Sequence, residues 1–267
     1  MRGPERVKTG VGPIRGWFAG RLRPRVGFAT RSELELRYVR IERTVIWLLV
    51  GLLVASLLDG PAWRWLNVAD ERWLESRDWY QMLRQLGYLP VWIFVGVAYG
   101  LSDLYARRRG EPDRGPRSVM IILAPVVGGL LAEIVKRLVG RERPPAMPVM
   151  TEQTPLPPEP SLEYVYKPFM SAWTDDSNLG IASSHTAVAF GALVMLGLMH
   201  RGARPVLWLL AFGCGLSRLL AGAHWLSDVY AGAALGAIGA WAVWSRMGRR
   251  WSRDARDLWR ARGGRLG

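Results

Sequence analysis

The sequence predicts an all-α fold, a polytopic membrane protein with six transmembrane helices in a bundle and an interfacial helix in the first outer loop. Half of the 267 residues are hydrophobic. They gather into six apolar segments, near 41–58, 86–105, 118–139, 184–200, 205–221 and 224–245. A hydrocarbon core about 30 Å thick needs about 20 helical residues. The second, third and sixth segments reach that length, and the others rely on flanking aromatic or arginine residues to reach the interface.

Basic residues alternate along the connections between these segments. The N-terminal tail through Arg43, the second and fourth connections and the C-terminal tail together carry 26 Lys and Arg, whereas the first and third connections carry 7. The positive-inside bias gives this distribution for six crossings with both termini in the cytoplasm. The net charge of +14 is therefore interpreted as a topology signal, and no nucleic-acid partner is expected. We expect an integral protein of the bacterial inner membrane.

Three regions follow from the positions of the segments. Residues 1–42 are predicted to form a basic cytoplasmic tail, residues 43–245 the six-helix membrane domain, and residues 246–267 a second basic cytoplasmic tail. Within the domain, the proline-rich outer loop 144–182 is predicted to be irregular, because proline removes a backbone donor and breaks helices. The sequence does not indicate the oligomeric state.

The first outer connection, PAWRWLNVADERWLESRDWYQMLRQ, has tryptophan and tyrosine spaced among charges. Aromatic rings with one apolar and one polar side are typical of the membrane interface. The pattern predicts a short helix in the interface plane, with Trp73, Tyr80 and Leu83 facing lipid.

Three polar clusters lie at ends of the apolar segments, in KRLVGRERP, GIASSHTA and SRLLAGAHWLSD, and the predicted topology places all three on the outer face. Lys136, Arg143 and Arg218 are cations beside the membrane, where isolated charges are costly and usually functional. Together they suit a dianionic phosphate. Ser183 and Ser184 open the fourth segment, and free backbone N–H groups at a helix start also bind anions.

Two histidines complete this candidate site. His224 and Asp228 are four residues apart, so on a helix they share one face. A carboxylate on one ring nitrogen fixes the tautomer and makes the other nitrogen a better nucleophile. His185, on a different helix, is placed to protonate a leaving oxygen. The set predicts phosphoryl transfer without a metal or other cofactor, and the single cysteine, Cys214, excludes an internal disulfide.

The order and spacing of these residues resemble a known family. Lys136, Arg143 and Pro144 fit KxxxxxxRP, Ser183 and His185 fit part of PSGH, and the third cluster fits SRxxxxxHxxxD from Ser217 to Asp228. These motifs are similar to the signature of the type 2 phosphatidic acid phosphatase superfamily, which includes membrane lipid phosphatases, glucose-6-phosphatase-type enzymes and soluble vanadium haloperoxidases. The second motif departs from that signature, since Ser184 stands where the family has glycine.

The resemblance implies a role for each residue. His224 would attack phosphorus to form a phosphohistidine, Asp228 would orient it, and His185 would act as general acid. The phosphate oxygens would be held by the remaining polar groups, namely Lys136, Arg143, Ser183, Arg218 and the Ser184 backbone N–H. The expected activity is hydrolysis of a lipid phosphate or lipid diphosphate, phosphatidic acid-like or undecaprenyl diphosphate-like, at the outer membrane face.

Three alternatives remain open at the level of sequence. A lipid phosphotransferase would use the same histidine with an acceptor other than water. A vanadate-dependent haloperoxidase would use the same pocket in a soluble fold, which the apolar segments disfavour. A catalytically silent lipid-binding protein would be consistent with the altered second motif.

Neighbouring charged residues are interpreted structurally. Glu133 lies one helical turn before Lys136, and the spacing predicts an ion pair that orients the lysine. Arg141 and Glu142 are predicted to form a solvated loop pair. His200, at the inner end of the fourth segment, is predicted to be hydrogen-bonded within the bundle.

Overall fold

The computed structural model describes residues 31–68, 70–111, 115–145 and 163–248, with side chains from residue 39 onward. The chain divides into two compact units, Met1–Val45 and Ile46–Gly267. The described residues are helical without a named strand, which confirms the all-α prediction. The α-helices are α1 Arg31–Leu57, α2 Asp59–Leu66, α3 Glu71–Glu75, α4 Asp78–Gln85, α5 Leu89–Arg108, α6 Arg117–Val139, α7 Phe169–Thr174, α8 Ser184–Met199, α9 Arg204–Leu220 and α10 Leu226–Val243.

Each of the six predicted apolar segments coincides with a helix, namely α1, α5, α6, α8, α9 or α10. Among the described residues, four stretches are long and apolar enough to cross a membrane, Leu89–Arg108, Arg117–Val139, Arg201–Leu220 and Leu226–Gly248. The pair Val39–Leu57 and Asp59–Leu66, bent by 55°, makes a fifth if it is one span. Helix α8 has 16 residues and is about 24 Å long. The count of six crossings therefore stays a prediction.

Helices α6, α8 and α10 pack against one another at the centre of the second unit. Small residues allow their backbones to approach closely. A Cβ atom on Gly128 would lie 2.9 Å from the Gly236 Cα and 3.0 Å from the Ala187 carbonyl oxygen, so the three helices meet at these positions without space for a side chain. This contact fixes the C-terminal end of α6 beside the N-terminal ends of α8 and α10.

Helix α9 closes one side of this core. Phe190 of α8 packs edge-on against Phe212 of α9, with ring centroids 5.4 Å apart, and Cys214 is buried in the same cluster. At the far end of α8, the hydroxyl of Tyr99 lies 3.0 Å from His200 Nε2, so the predicted hydrogen bond of this histidine is confirmed.

Helix α4 packs against the protein, and this corrects part of the prediction for the first connection. Tyr80 is only 2% exposed. Leu83 contacts α9, where a Cβ atom on Gly213 would lie 2.7 Å from Leu83 Cδ2. Neither side chain therefore faces lipid, because both lie on the face of α4 that α9 covers. Trp73 is 46% exposed, in keeping with its predicted position.

The long third connection has more structure than predicted. It contains α7, and two isolated antiparallel bridges join Arg141 to Tyr166 and Glu142 to Leu179. These bridges tie the chain just after α6 to both ends of the α7 region. Residues 146–162 of this loop lie outside the described residues, as do residues 1–30 and 249–267 of the two predicted tails.

Candidate active site

The three polar clusters predicted from sequence come together at one end of the helix core. The backbone N–H of Ser183 donates to the Asp228 carbonyl oxygen at 3.0 Å. Lys136 Nζ donates to Ser184 Oγ at 2.8 Å. Helices α6 and α9 end here, and α8 and α10 begin here, so residues more than 40 positions apart share one site.

The predicted nucleophile, His224, lies in the turn between α9 and α10 and is almost fully buried. Its Nδ1 is 3.4 Å from Asp228 Oδ2, slightly beyond normal hydrogen-bond length. Catalytic hydrogen bonds are often this long before substrate binds. Burial lowers the pKa of His224 to about 4, although Asp228 acts in the opposite direction. The ring is therefore neutral at pH 7, which a nitrogen nucleophile requires.

Asp228 is held firmly through both carboxylate oxygens. Oδ2 accepts a hydrogen bond from the Trp225 backbone N–H at 2.9 Å, which caps the start of α10. Oδ1 accepts from the guanidinium of Arg141. A carboxylate anchored in this way has a defined direction, so it can orient the imidazole of His224.

Arg141 contacts the candidate site, although sequence reasoning did not place it there. It was predicted to form a solvated pair with Glu142, and this was wrong. Arg141 is only 3% exposed, and its Nη2 donates to Ser227 Oγ at 2.7 Å as well as to Asp228. Glu142 instead accepts from Asn178 Nδ2 at 2.9 Å. The chain after α6 turns inward, so that alternate side chains face the protein and the solvent.

A second missed residue, Asp59, supports this network from α2. It is buried, and its Oδ1 accepts from the Ser227 backbone N–H at 2.7 Å. Its Oδ2 accepts from the Tyr164 hydroxyl at 2.9 Å and lies 3.7 Å from Arg141 Nη1. The Arg141 guanidinium also stacks over the Tyr164 ring, 4.7 Å from its centroid. The one sequence signal for Asp59 is a carboxylate at the end of an apolar segment, where a buried charge needs a partner.

Lys136 and Ser184 are joined by a shared carboxylate. Lys136 Nζ lies 2.7 Å from Glu133 Oε1, which confirms the predicted ion pair. The Ser184 hydroxyl donates to the same oxygen, and Arg137 Nη1 binds the other carboxylate oxygen at 2.8 Å. The serine that replaces the usual glycine is therefore hydrogen-bonded to α6.

Ser183 is fully buried at the N-terminal boundary of α8. Its hydroxyl accepts a hydrogen bond from Thr186 Oγ1 at 3.1 Å, and its backbone N–H is occupied by the Asp228 carbonyl. Ser183 thus lies at the site, and both its hydroxyl and its backbone N–H are hydrogen-bonded to other residues of the protein. Its role as a phosphate ligand stays a prediction.

Other polar atoms at the site are buried without a partner. Among the described residues, Arg218 Nε and His185 Nε2 have no hydrogen-bond partner. Buried polar atoms without a partner are rare in folded proteins, so these two atoms are candidates for contact with a substrate. Arg143 is exposed at the mouth of the site, where its Nε donates to the Leu179 carbonyl at 3.3 Å. These side chains can accept an anion without breaking many existing bonds.

The last turn of α4 and the turn that follows it form a further wall. A Cβ atom on Gly87 would lie 2.7 Å from the His185 Cβ, and the ring of Tyr88 meets the His185 ring edge-on at 5.0 Å between centroids. Beside it, a cavity of about 120 Å³ is lined in part by Tyr80, Arg84 and Arg218. Sequence reasoning did not assign α4 to the site.

Comparison with known proteins gives one match. A family model described as the PAP2 superfamily matches residues 118–252, a range that includes every predicted site residue. No curated protein matches the chain, and no solved structure matches it.

Proposed function

The chain belongs to the PAP2 superfamily, and from this membership we propose that it is an integral membrane phosphatase that hydrolyses a lipid phosphate or lipid diphosphate. Membership in this superfamily supports a general phosphoesterase. Several of the described helices are long and apolar enough to span a membrane. The observation that carries the proposal is the pairing of a buried, neutral histidine with an anchored carboxylate, His224 with Asp228, beside the buried and unpartnered guanidinium nitrogen of Arg218.

In the proposed first step, His224 attacks phosphorus. Its Nδ1 faces Asp228, so Nε2 is the nitrogen that forms the N–P bond. The negative charge of the bound phosphate favours the protonated form of the His185 ring. The bond from phosphorus to the leaving oxygen then breaks, and protonated His185 gives its proton to that oxygen. Asp228 stabilises the positive charge that develops on the His224 ring.

In the second step, water hydrolyses the phosphohistidine. His185, now neutral, accepts a proton from the attacking water, and the N–P bond breaks to release inorganic phosphate. The ring of His224 returns to its neutral form, and His185 is protonated again. Each step uses the same pair of histidines in opposite proton roles, so the cycle closes without another reactant.

Cations are proposed to hold the phosphate oxygens throughout. Arg218 offers a buried nitrogen without a partner, Lys136 lies beside Ser184 at the start of α8, and Arg143 lies at the mouth. Charge that develops on phosphorus oxygens in the transition state is stabilised by such fixed donors more strongly than by water.

A lipid substrate is supported by the apolar helices around the site. Many of their large side chains are exposed, among them Phe94, Leu209 and Phe212, and exposed apolar surface of this kind suits acyl or prenyl chains. We propose that the site faces the outer side of the membrane, as the distribution of basic residues predicts.

The proposal is tested with purified protein in detergent. Phosphatidic acid and undecaprenyl diphosphate are supplied in the presence of a metal chelator, and released inorganic phosphate is measured. We expect release from at least one of them, and His224→Ala should reduce it to the level without protein. His200→Ala is the matched control, because that histidine bonds Tyr99 at the opposite end of α8 and should leave turnover intact.

Two results would contradict the proposal. If well-folded protein hydrolyses no lipid phosphate, the phosphatase proposal is wrong and the alternative of a silent lipid-binding protein is favoured. If radiolabelled phosphate moves to a second lipid and none enters solution, the chain is a phosphotransferase.

A further inference from the structure

Arg84 is a cation at the site that none of the three motifs contains. It lies on α4, and its side chain lines the same cavity as Arg218. Its Nε is buried without a hydrogen-bond partner among the described residues. Its Nη1 lies 2.9 Å from Glu75 Oε1. The guanidinium of Arg84 is thus bound to a protein carboxylate through Nη1, whereas its buried Nε is an N–H donor without an acceptor.

The position of Arg84 along α4 relates it to the general acid. Gly87 and Tyr88, three and four residues later, both contact His185. Gly87 and Tyr88 lie in the turn between α4 and α5, directly after the last turn of α4 that carries Arg84. The charge of Arg84 also acts on the ring of His185. The last turn of α4 and the turn that follows it therefore bring Arg84 to the neighbourhood of His185.

Two glutamates, Glu71 and Glu75, also line this cavity, and their positions decide what it can accept. Both residues are exposed, and Glu75 is bound to the outer edge of Arg84. Tyr80 and Arg218 are buried, and Arg84 contributes a buried Nε. The unpaired buried donors of the cavity therefore belong to the two arginines, whereas its carboxylates are exposed.

We propose that Arg84 is a second anion-binding residue, which holds a negatively charged group on the leaving side of the scissile bond. The substituent that fits this position is a second phosphate, so the preferred substrate is a lipid diphosphate. Arg218 would hold the phosphate under attack, and Arg84 the phosphate that stays with the lipid. This inference rests on the proposed function, since it assigns the two phosphates relative to His224 and His185.

The two arginines would act together in the transition state. As the P–O bond breaks, negative charge grows on the bridging oxygen and spreads over the departing phosphate. Protonation by His185 neutralises part of this charge, and the Arg84 guanidinium stabilises the rest. Arginine suits this position because it stays charged and offers paired donors to phosphate oxygens. A monophosphate has no group there, so it would gain little from Arg84.

The test compares two substrates with the same tail, farnesyl diphosphate and farnesyl monophosphate. The ratio of their kcat/KM values is measured for wild type, Arg84→Gln and Arg84→Lys. A lost hydrogen bond to a charged group corresponds to roughly a 10- to 100-fold change. We expect Arg84→Gln to lower the diphosphate-to-monophosphate ratio by that factor, and Arg84→Lys to restore part of it.

Arg77→Gln is the matched control. It removes an arginine just before α4, whose guanidinium stacks on Trp73 at 4.3 Å and does not line the cavity. The diphosphate-to-monophosphate ratio of kcat/KM for Arg77→Gln should equal that of wild type. This result would separate a local effect at Arg84 from an effect of the overall charge.

The outcomes separate this inference from the proposed function. If wild type hydrolyses both substrates and Arg84→Gln slows both by the same factor, Arg84 does not bind a second phosphate and the inference is wrong while the phosphatase stands. If wild type hydrolyses neither, nor any other lipid phosphate, the proposed function fails first. A melting temperature equal to that of wild type excludes unfolding of Arg84→Gln as the cause.

Discussion

At the scale of single residues, the buried guanidinium of Arg141 connects the nucleophile's carboxylate to the rest of the protein. It donates to Asp228 and Ser227 and lies near Asp59. Removing one partner from a buried charge network leaves the other charge without compensation. We therefore regard Arg141 as a positioning residue, which acts on the reaction through Asp228.

Arg141→Met should lower kcat by roughly 10- to 100-fold, because Asp228 loses a charged hydrogen bond that fixes its direction. The less neutralised carboxylate should also raise the pKa of His224, since Asp228 already acts on that ring in this direction. The acidic limb of the pH profile of kcat/KM should then move to higher pH. Glu142→Gln, which changes the exposed neighbour, is the control. An unmoved acidic limb would show that Arg141 acts on folding alone.

The buried His224 ring also links stability to pH. Its pKa is lowered from 6.5 to about 4, so between these values the unfolded chain binds a proton that the folded chain does not. Stability is thus fully present above pH 6.5 and is lost as pH falls toward 4. The loss from this group is at most about 3 kcal/mol. His224→Gln should show a flatter dependence of melting temperature on pH over this window, and an equal slope would contradict the assignment.

At the scale of helices, the position of His185 depends on the close approach of α8 to the turn between α4 and α5. Gly87 has an ordinary backbone, so only space limits substitution there. Gly87→Ala places a methyl group 2.7 Å from His185 Cβ and 3.0 Å from its Cα, and backbone cannot move aside as a flexible side chain can. A displacement of about 1 Å can lower the rate about 100-fold, so we expect kcat/KM to fall by up to that factor.

Gly100→Ala is the control for this change, since its new methyl group would lie 3.5 Å from Ser118 Cβ, an ordinary contact. It should behave like wild type in both phosphate release and melting temperature. If Gly87→Ala also behaves like wild type, the turn between α4 and α5 does not position the general acid.

The helices show what the sequence can and cannot predict. Long apolar runs such as 118–139 form helices because backbone groups in an apolar setting must bond internally, and the three motif clusters meet because they close or open such runs. The inward face of α4 is harder to predict. An apolar side chain such as Leu83 is equally stable in lipid and in the protein interior. The spacing of apolar residues along α4 therefore does not show which of the two environments its apolar face contacts. Arg141 was misassigned because its partners lie more than 80 positions away in the chain.

At the scale of the whole molecule, the distribution of basic residues makes a direct prediction of orientation. A reporter fused after Gly267 should read as cytoplasmic, and a reporter inserted in the proline-rich loop, within residues 146–162, should read as external. Alkaline phosphatase and green fluorescent protein fusions measure the two sides separately. The prediction places an odd number of crossings between the two insertion points. If both reporters read on the same side, that prediction is wrong. If each reporter reads on the side predicted for the other, the predicted orientation is inverted.

The 16 residues of α8 have a consequence for depth in the membrane. At about 24 Å, this helix is shorter than a hydrocarbon core of about 30 Å. In the predicted six-crossing arrangement, α8 would therefore not reach both edges of that core, and the histidine and serines at its N-terminal end would lie at or below the headgroup plane. A substrate would reach them by sliding sideways within its leaflet, with its tail never leaving the lipid. We expect turnover to rise in thinner bilayers, measured in phosphatidylcholine vesicles of graded chain length.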